Sequence, residues 1–267
     1  MSMPEAAPRF SVVVPAFNEA QGIADTVDRL TRYLNGTGLA WQIVVVDDGS
    51  SDGTAAAVEQ MSAGEARLRL VRGGRRGKGA AVRRGMLEAA GAWRFFADAD
   101  LSMPPANIDR FLAALRASTP APHVLIGSRE APGSNRIGEP WRRHAVGRAF
   151  NWLVQALLLP GVQDTQCGFK LFSAEAATAL FPRTTIDGFA FDVEVLTLAR
   201  RAGYRVCEVG IEWHCRSDSR VSVWRGATAF VDLFRVRWNA WMGVYRGIPA
   251  PAAAAPARAV GSPESVP

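Results

Sequence analysis

The sequence predicts an α/β domain built on a mostly parallel sheet with helices on both faces. Three observations carry that expectation. Short β-branched runs alternate with segments of helical apolar spacing between residues 10 and 127. The polar motifs fall at the carboxyl ends of those runs, where open α/β sheets bind ligands. The 267 residues are 48% hydrophobic and 21% charged, which excludes wholesale disorder and a collagen-like chain.

The elements follow in order. Phe10–Ala16 reads as a buried strand, and Glu19–Leu34 as a helix with Ile23, Val27, Leu30 and Leu34 on one face. Trp41–Val46 is a second strand, and Ser51–Met61 a helix capped by Ser51 or Asp52. Leu68–Val71, Trp93–Ala97 and Val124–Gly127 are further strands, separated by helices at Gly77–Ala90 and Pro105–Ala117. After residue 128 the alternation fades into a helical half, with amphipathic stretches at 143–159, 173–181 and 190–202. One domain spans 9–223, a helix follows over 224–248, and residues 1–8 and 249–267 read as disordered tails.

Other classes are set aside by simple features. The longest charge-free run, Ala149–Gln163, has 15 residues, short of the ~20 a membrane span needs. The first ten residues lack the basic start and apolar core of a secretory signal. Cys167, Cys207 and Cys215 are too scattered for a disulfide framework or a four-ligand zinc site, which points to a reducing, cytoplasmic setting. The net charge of +6 attracts anions, but no nucleic-acid-binding motif is present. Of the 31 cations only Lys78 and Lys170 are lysine, a hint that those two positions need a compact charge.

The chemistry concentrates at the strand ends. Asp98-Ala99-Asp100 places two carboxylates two residues apart, a pair that a hard divalent cation such as Mg2+ or Mn2+ relieves. Asp47 ends the second strand beside Pro15, Phe17 and Glu19, offering a carboxylate and an aromatic ring to a nucleoside. The run Gly73–Gly79 lacks P-loop spacing, yet a glycine turn with Arg75, Arg76 and Lys78 can hold a diphosphate. Arg129, Arg136, Arg142 and Arg143 form a basic cluster suited to phosphate. Cys167 has no activating histidine near it in sequence and reads as a packing residue.

Together these stretches resemble the family-2 glycosyltransferases of the GT-A fold. VVVPAFNEA, VVVDDGSSDGT, RRGKGAAVRRG, FFADADLS and VLIGSRE occur in that family's order. The later DTQCGFKLF, FAFDVEVL and EVGIEW…SRV look most like dolichyl-phosphate glucosyltransferases, with dolichyl-phosphate mannose synthases as close cousins. The resemblance covers residues 9–222. It implies inverting, metal-dependent transfer of a sugar from a nucleotide-sugar, UDP-glucose or GDP-mannose, to a polyprenyl phosphate.

By position, it also implies site roles. Pro15, Phe17, Glu19 and Asp47 match the nucleoside pocket, Lys78 and Arg83 the basic donor side, and Asp98 and Asp100 the metal ligands. Arg129 and Arg143 match the acceptor-phosphate arginines, Asp164, Gln166 and Lys170 the sugar-side motif, and Asp192 and Glu194 the acidic motif after it. Asp192 would serve as a base if the acceptor were a hydroxyl. Two departures stand out: Leu101-Ser102 after Asp-x-Asp is closer to the mannosyl branch, and Asp218-Ser219-Arg220 replaces the glucosyl branch's Gly-Ser-Lys donor loop.

A polyprenyl acceptor keeps its tail in a bilayer, so the enzyme must reach the membrane surface. Trp224–Gly247 suits that task, with Trp224, Phe230, Phe234, Trp238, Trp241 and Tyr245 among Arg225, Arg235, Arg237 and Arg246. The arginines forbid a spanning helix and suit an interfacial one on the cytoplasmic face.

Overall fold

A computed structural model describes residues 8–215 and 223–252. The first five strands lie within a residue of where the sequence puts them: β1 (Phe10–Ala16), β2 (Trp41–Asp47), β3 (Leu68–Arg72), β4 (Trp93–Ala97) and β5 (Val124–Ser128). The helices α1 (Ile23–Asn35), α2 (Thr54–Ser62), α3 (Lys78–Glu88) and α4 (Asn107–Ala117) connect them. The first two helices start later than their apolar pattern suggests. Asn18 has a positive φ, its side chain accepts from Ser51 N, and Glu19 N donates to Thr54 Oγ1, so the loops after β1 and β2 are stitched together before either helix begins.

The second half holds more sheet than expected. Two short strands, β6 (Asn135–Ile137) and β9 (Glu212–His214), pair with each other, while β7 (Phe169–Ser173) and β8 (Val206–Gly210) join the main sheet. Its order is β3-β2-β1-β4-β7-β5-β8, parallel except for β7, which runs antiparallel to both β4 and β5. The remaining helices are α5 (Trp141–Leu157), α6 (Ala174–Leu180), α7 (Phe191–Arg201) and α8 (Val223–Met242).

Strand alternation divides the core in two. Val12 and Val14 face one layer with Leu30, Phe95, Phe111 and Phe169, covered by α1, α2 and α4. Val13 faces the other with Val46, Phe96, Met86 and Val195, covered by α3, α5, α6, α7 and α8. The inner face of α8 contributes Leu233, Val236 and Ala240 to that second layer. The chain just past α8 also lies on the domain: Tyr204 Oη donates to Pro249 O, and Ala252 N donates to Glu175. Residues 249–252 therefore correct the expectation of a disordered tail from 249 onward. Residues 1–7 and 253–267 lie outside the described residues.

Contact between α3 and the sheet is close enough to fix a residue type. A Cβ at Gly85 would lie 2.3 Å from Val13 Cγ1 and 2.8 Å from Val46 Cγ2. Gly85→Ala is expected to destabilise by ~1–3 kcal/mol through overpacking, read as a lower urea midpoint with unchanged m-value.

Candidate active site

The carboxyl ends of β1, β2, β4 and β5 form one polar edge, as the parallel topology requires. At the β1–β2 end, Asp47 is buried and its carboxylate accepts from Ser50 N at 3.2 Å. Phe17 lies beside it in sequence order on the neighbouring strand end, with the Arg75 guanidinium 5.5 Å from its ring centre. Pro15 pairs with Val46 across the two strands, so Pro15, Phe17 and Asp47 share the end of one strand pair, with Glu19 two residues further along the β1 loop.

The glycine loop after β3 behaves differently from its sequence reading. Its N–H groups do not form an open phosphate cradle. Arg76 N and Gly77 N donate to the two oxygens of Asp48, at 2.9 and 2.7 Å. Arg76 forms a salt bridge with Asp187 at 2.9 Å, and Arg75 sits over Phe17. Lys78, the first residue of α3, is the cation of this loop that reaches Asp-x-Asp: its Nζ lies 2.6 Å from Asp98 Oδ1. Arg83 points away from the edge, donating to Thr184 O at 3.1 Å and to Asp187 at 2.6 Å.

Asp98 and Asp100 do not lie in extended chain. The strand ends at Ala97, and residues 98–102 turn, with Leu101 at positive φ and Ser102 N donating to Asp100 Oδ1 at 3.0 Å. The turn, rather than strand alternation, brings both carboxylates towards Lys78. Burial alone would lower the Lys78 pKa, but Asp98, Asp192 and Asp100 together hold it raised. Asp98 Oδ2 lies directly on the backbone of residue 168, where a Cβ would come within 1.9 Å of it, so a side chain there would displace the Asp98 carboxylate. Asp98 keeps partial exposure and Asp100 is exposed. Two hard oxygen donors open to the cleft fit a divalent cation completed by diphosphate oxygens and water.

Behind this turn lies a buried ion pair. Lys170 on β7 is fully buried, its Nζ 2.5 Å from Asp192 Oδ1 at the start of α7, and it also donates to Cys167 O. Burial raises the Asp192 pKa, Lys170 and Lys78 oppose that rise, and Asp98 adds to it. Cys167 is a packing thiol: burial pushes its pKa up to about 12, and its sulfur lies 3.5 Å from that of Met103. Gln166 stands next to it with a buried Nε2 that has no hydrogen-bond partner. Such an orphaned donor has room in its hydrogen-bonding for a water or a ligand oxygen.

Just past the end of β5, Arg129 is clamped. Its Nε and Nη2 donate to the two oxygens of Asp164 at 2.7 and 2.9 Å, and its N–H donates to the same carboxylate at 2.9 Å. The Trp213 ring lies beneath the guanidinium, 5.4 Å away. Arg136 is likewise committed, to Glu130 and Glu139. Arg143 is the third residue of α5. Ser219 and Arg220 lie outside the described residues.

Sequence reasoning missed two acids. Asp187 holds both Arg76 and Arg83, and Glu208 accepts from Gln163 N and Asp164 N. The Asp187-Gly188 turn between apolar runs was the visible signal for the first; the second carries none. Glu194, matched to the acidic motif, faces away from the cleft.

A Rossmann-like sheet carrying an Asp-x-Asp turn and an adjacent lysine at its carboxyl edge defines a GT-A glycosyltransferase. The chain belongs to glycosyltransferase family 2, whose family model, described as "Glycosyl transferase family 2", matches residues 11–181. It is 32% identical over 254 residues to a dolichyl-phosphate beta-glucosyltransferase of Saccharomyces cerevisiae, covering 88% of this chain and 76% of that one. The human protein of the same name is 30% identical, with 89% and 78% covered. Among solved structures, glucosyl-3-phosphoglycerate synthase from Mycobacterium tuberculosis with Mn2+, UDP and phosphoglyceric acid shares the fold: TM-score 0.65, 20% identity, 92% of this chain and 81% of that one covered.

The Arg129–Asp164 pair makes a pH prediction. Burial would raise the Asp164 pKa, but the Arg129 charge and hydrogen bonds hold it lowered in the fold. A lowered folded pKa contributes stability above the unfolded value of about 3.9, and that stability is lost as pH falls through the lower folded value. Urea unfolding at a series of pH values below 5 is expected to show a shallower acid loss in Asp164→Asn than in wild type, with the variant less stable at pH 7.

Proposed function

We propose that the protein transfers glucose from UDP-glucose to a polyprenyl phosphate of the dolichyl type, with inversion at the anomeric carbon. One observation carries the reading: Asp98, Asp100 and Lys78 converge at the sheet edge of a chain about a third identical, over 88% of its length, to a dolichyl-phosphate beta-glucosyltransferase. Asp98 and Asp100 would hold Mg2+ or Mn2+, which supplies charge neutralisation for the departing diphosphate. Lys78 adds a fixed cation on the same side. Pro15, Phe17, Glu19 and Asp47 bind the nucleoside, and the orphaned Gln166 Nε2 donates to the sugar.

The acceptor is a phosphate monoester with a second pKa near 6, so it is mostly dianionic at pH 7 and attacks without a strong base. Arg129, oriented by Asp164, and Arg143 hold that phosphate in line with the anomeric carbon, a positioning effect. Arg83 supports the donor side from behind, through Asp187. Ser219 and Arg220 complete the nucleotide-sugar-binding set.

The membrane surface is reached through α8 together with α5. Phe234, Trp238 and Trp241 of α8 are exposed, the last at 67%, beside exposed Arg235 and Arg237. On α5, Trp141 and Trp152 are more than 70% exposed, and Phe150 packs edge-on against Phe230 of α8. Rings of this kind among arginines suit headgroup depth. Tyr245 is the exception to the sequence expectation, being buried with its hydroxyl on Glu194. Among the described residues no helix is long and apolar enough to cross a membrane; we propose a peripheral position on the cytoplasmic face.

The direct test incubates the protein with labelled nucleotide-sugars, polyprenyl phosphate and Mn2+ or Mg2+, then extracts the lipid phase. Label from UDP-glucose is expected there; label from GDP-mannose alone would move the assignment to the mannosyl branch that Leu101-Ser102 favours. In the same assay Asp100→Asn is expected to lose about two orders of magnitude in turnover, and near-normal turnover would remove it from the metal site.

Flotation with anionic liposomes tests the surface. Binding is expected at low salt, to weaken as salt rises, and to fall in the Trp238→Ala/Trp241→Ala double variant. Protein that never floats at low salt would reject the interfacial role.

A further inference from the structure

We propose that Glu194 is a positioning residue through which α8 sets the geometry of the Lys78 end of the site, a reading that rests on the donor-side role of Lys78 given above. Asp192 and Glu194 are neighbours in the motif but not in space. Residues two apart on a helix do not share a face. Asp192 turns towards Lys170 and Lys78, while Glu194 turns to the opposite side, fully buried.

Four donors meet the Glu194 carboxylate. Thr185 N lies 2.9 Å from both oxygens, Thr185 Oγ1 donates at 2.7 Å, Ile186 N at 2.9 Å, and Tyr245 Oη at 2.7 Å. Asn239 Nδ2 of α8 bridges Thr185 Oγ1 and Tyr245 Oη, 3.3 Å from each. No cation pairs with Glu194 among the described residues, so the hydrogen bonds and the N-terminal end of α7 carry its stabilisation. The arrangement ties α8 and the turn after it to the segment 185–187.

That segment is the seat of α3. Asp187 O accepts from Gly79 N at 2.8 Å and Ala80 N at 3.3 Å, and the Asp187 carboxylate grips Arg76 and Arg83. The backbones touch without slack: a Cβ at Gly77 would lie 2.5 Å from Asp187 O, and one at Gly79 2.6 Å from Ile186 O. A shift of segment 185–187 must therefore move the first turn of α3. Lys78 begins that turn, 2.6 Å from Asp98. Direct contacts run from Tyr245 and Asn239 through Glu194 to the metal-side carboxylate. Polar groups held this tightly transmit small displacements.

Tyr245→Phe tests the relay, because it removes one O–H donor and almost no volume. Hydrogen exchange on the full chain is expected to show lost protection at Gly79 and Ala80, with the thermal midpoint near that of wild type. In the lipid-extraction assay kcat/KM for the nucleotide-sugar is expected to fall ~10-fold, with acceptor KM within about twofold of wild type. The double variant Tyr245→Phe/Asp187→Asn should lose less than the sum of the single losses, since both act on one segment. Unchanged exchange at Gly79 and Ala80, additive losses, or a lowered midpoint with protection lost evenly across the sheet would each overturn the proposal. Because exchange reads the protein alone, wild type that transfers no sugar would defeat the functional reading while leaving the relay to be decided.

Discussion

Carboxylates at the end of β4 can be crowded into this fold because two lysines answer them. Asp98, Lys78, Asp192 and Lys170 form a run of alternating charge, with Lys78–Asp98 at 2.6 Å and Lys170–Asp192 at 2.5 Å. Both ammonium groups flank the Phe96 ring, at 5.3 and 5.7 Å from its centre. Removing one partner of the buried Lys170–Asp192 pair leaves an uncompensated charge, at a cost of ~3–5 kcal/mol. The only two lysines among 31 cations thus meet at one ring. The local packing explains the choice: Lys170 is fully buried against Cys167 O, and Asp98 already touches the backbone of Gly168. A guanidinium needs room for a planar fork that this space lacks, whereas an ammonium on a thin stem fits.

The other cations of the edge mostly organise protein. Asp48 takes the glycine-loop amides, Asp187 takes Arg76 and Arg83, and Asp164 takes two nitrogens of Arg129. Each pair fixes a loop that would otherwise move, and the fixed loops place Lys78 and the Arg129 edge. A basic composition therefore reads as a rigid frame as much as an anion-attracting field. Preorganised charge of this kind needs no reorganisation when a diphosphate forms.

Much of the frame was legible in the sequence, for a physical reason. Strands β1 to β5 are β-branched or aromatic runs bounded by polar turns, and the rule that ligands sit at their carboxyl ends found Asp47, Asp98 and Arg129 together. β7 escaped because Lys170 breaks the apolar run Phe169–Phe172, and its place between β4 and β5 depends on pairing 44 to 80 residues away. β8, with Glu208 within it, was hidden in the same way, since that carboxylate answers amides of residues 163 and 164. The motif Asp192-Val193-Glu194 was found but read as one acidic feature. Only helix geometry separates its two carboxylates into a cleft partner and an α8 partner.

That separation bears on the chemistry. A hydroxyl acceptor would need a base at the reacting oxygen, and Asp192 was the candidate. In the fold it is 3% exposed, and its Oδ1 is held by Lys170. A base must come within hydrogen-bond reach of the proton it removes, and a carboxylate sealed behind Asp98 and paired with a buried ammonium is poorly placed for that. Its raised pKa has burial as the largest cause, which marks a scaffold carboxylate as readily as a poised one. An acceptor that arrives already ionised removes the requirement. The geometry of Asp192 thus argues against its use as the base for a hydroxyl acceptor.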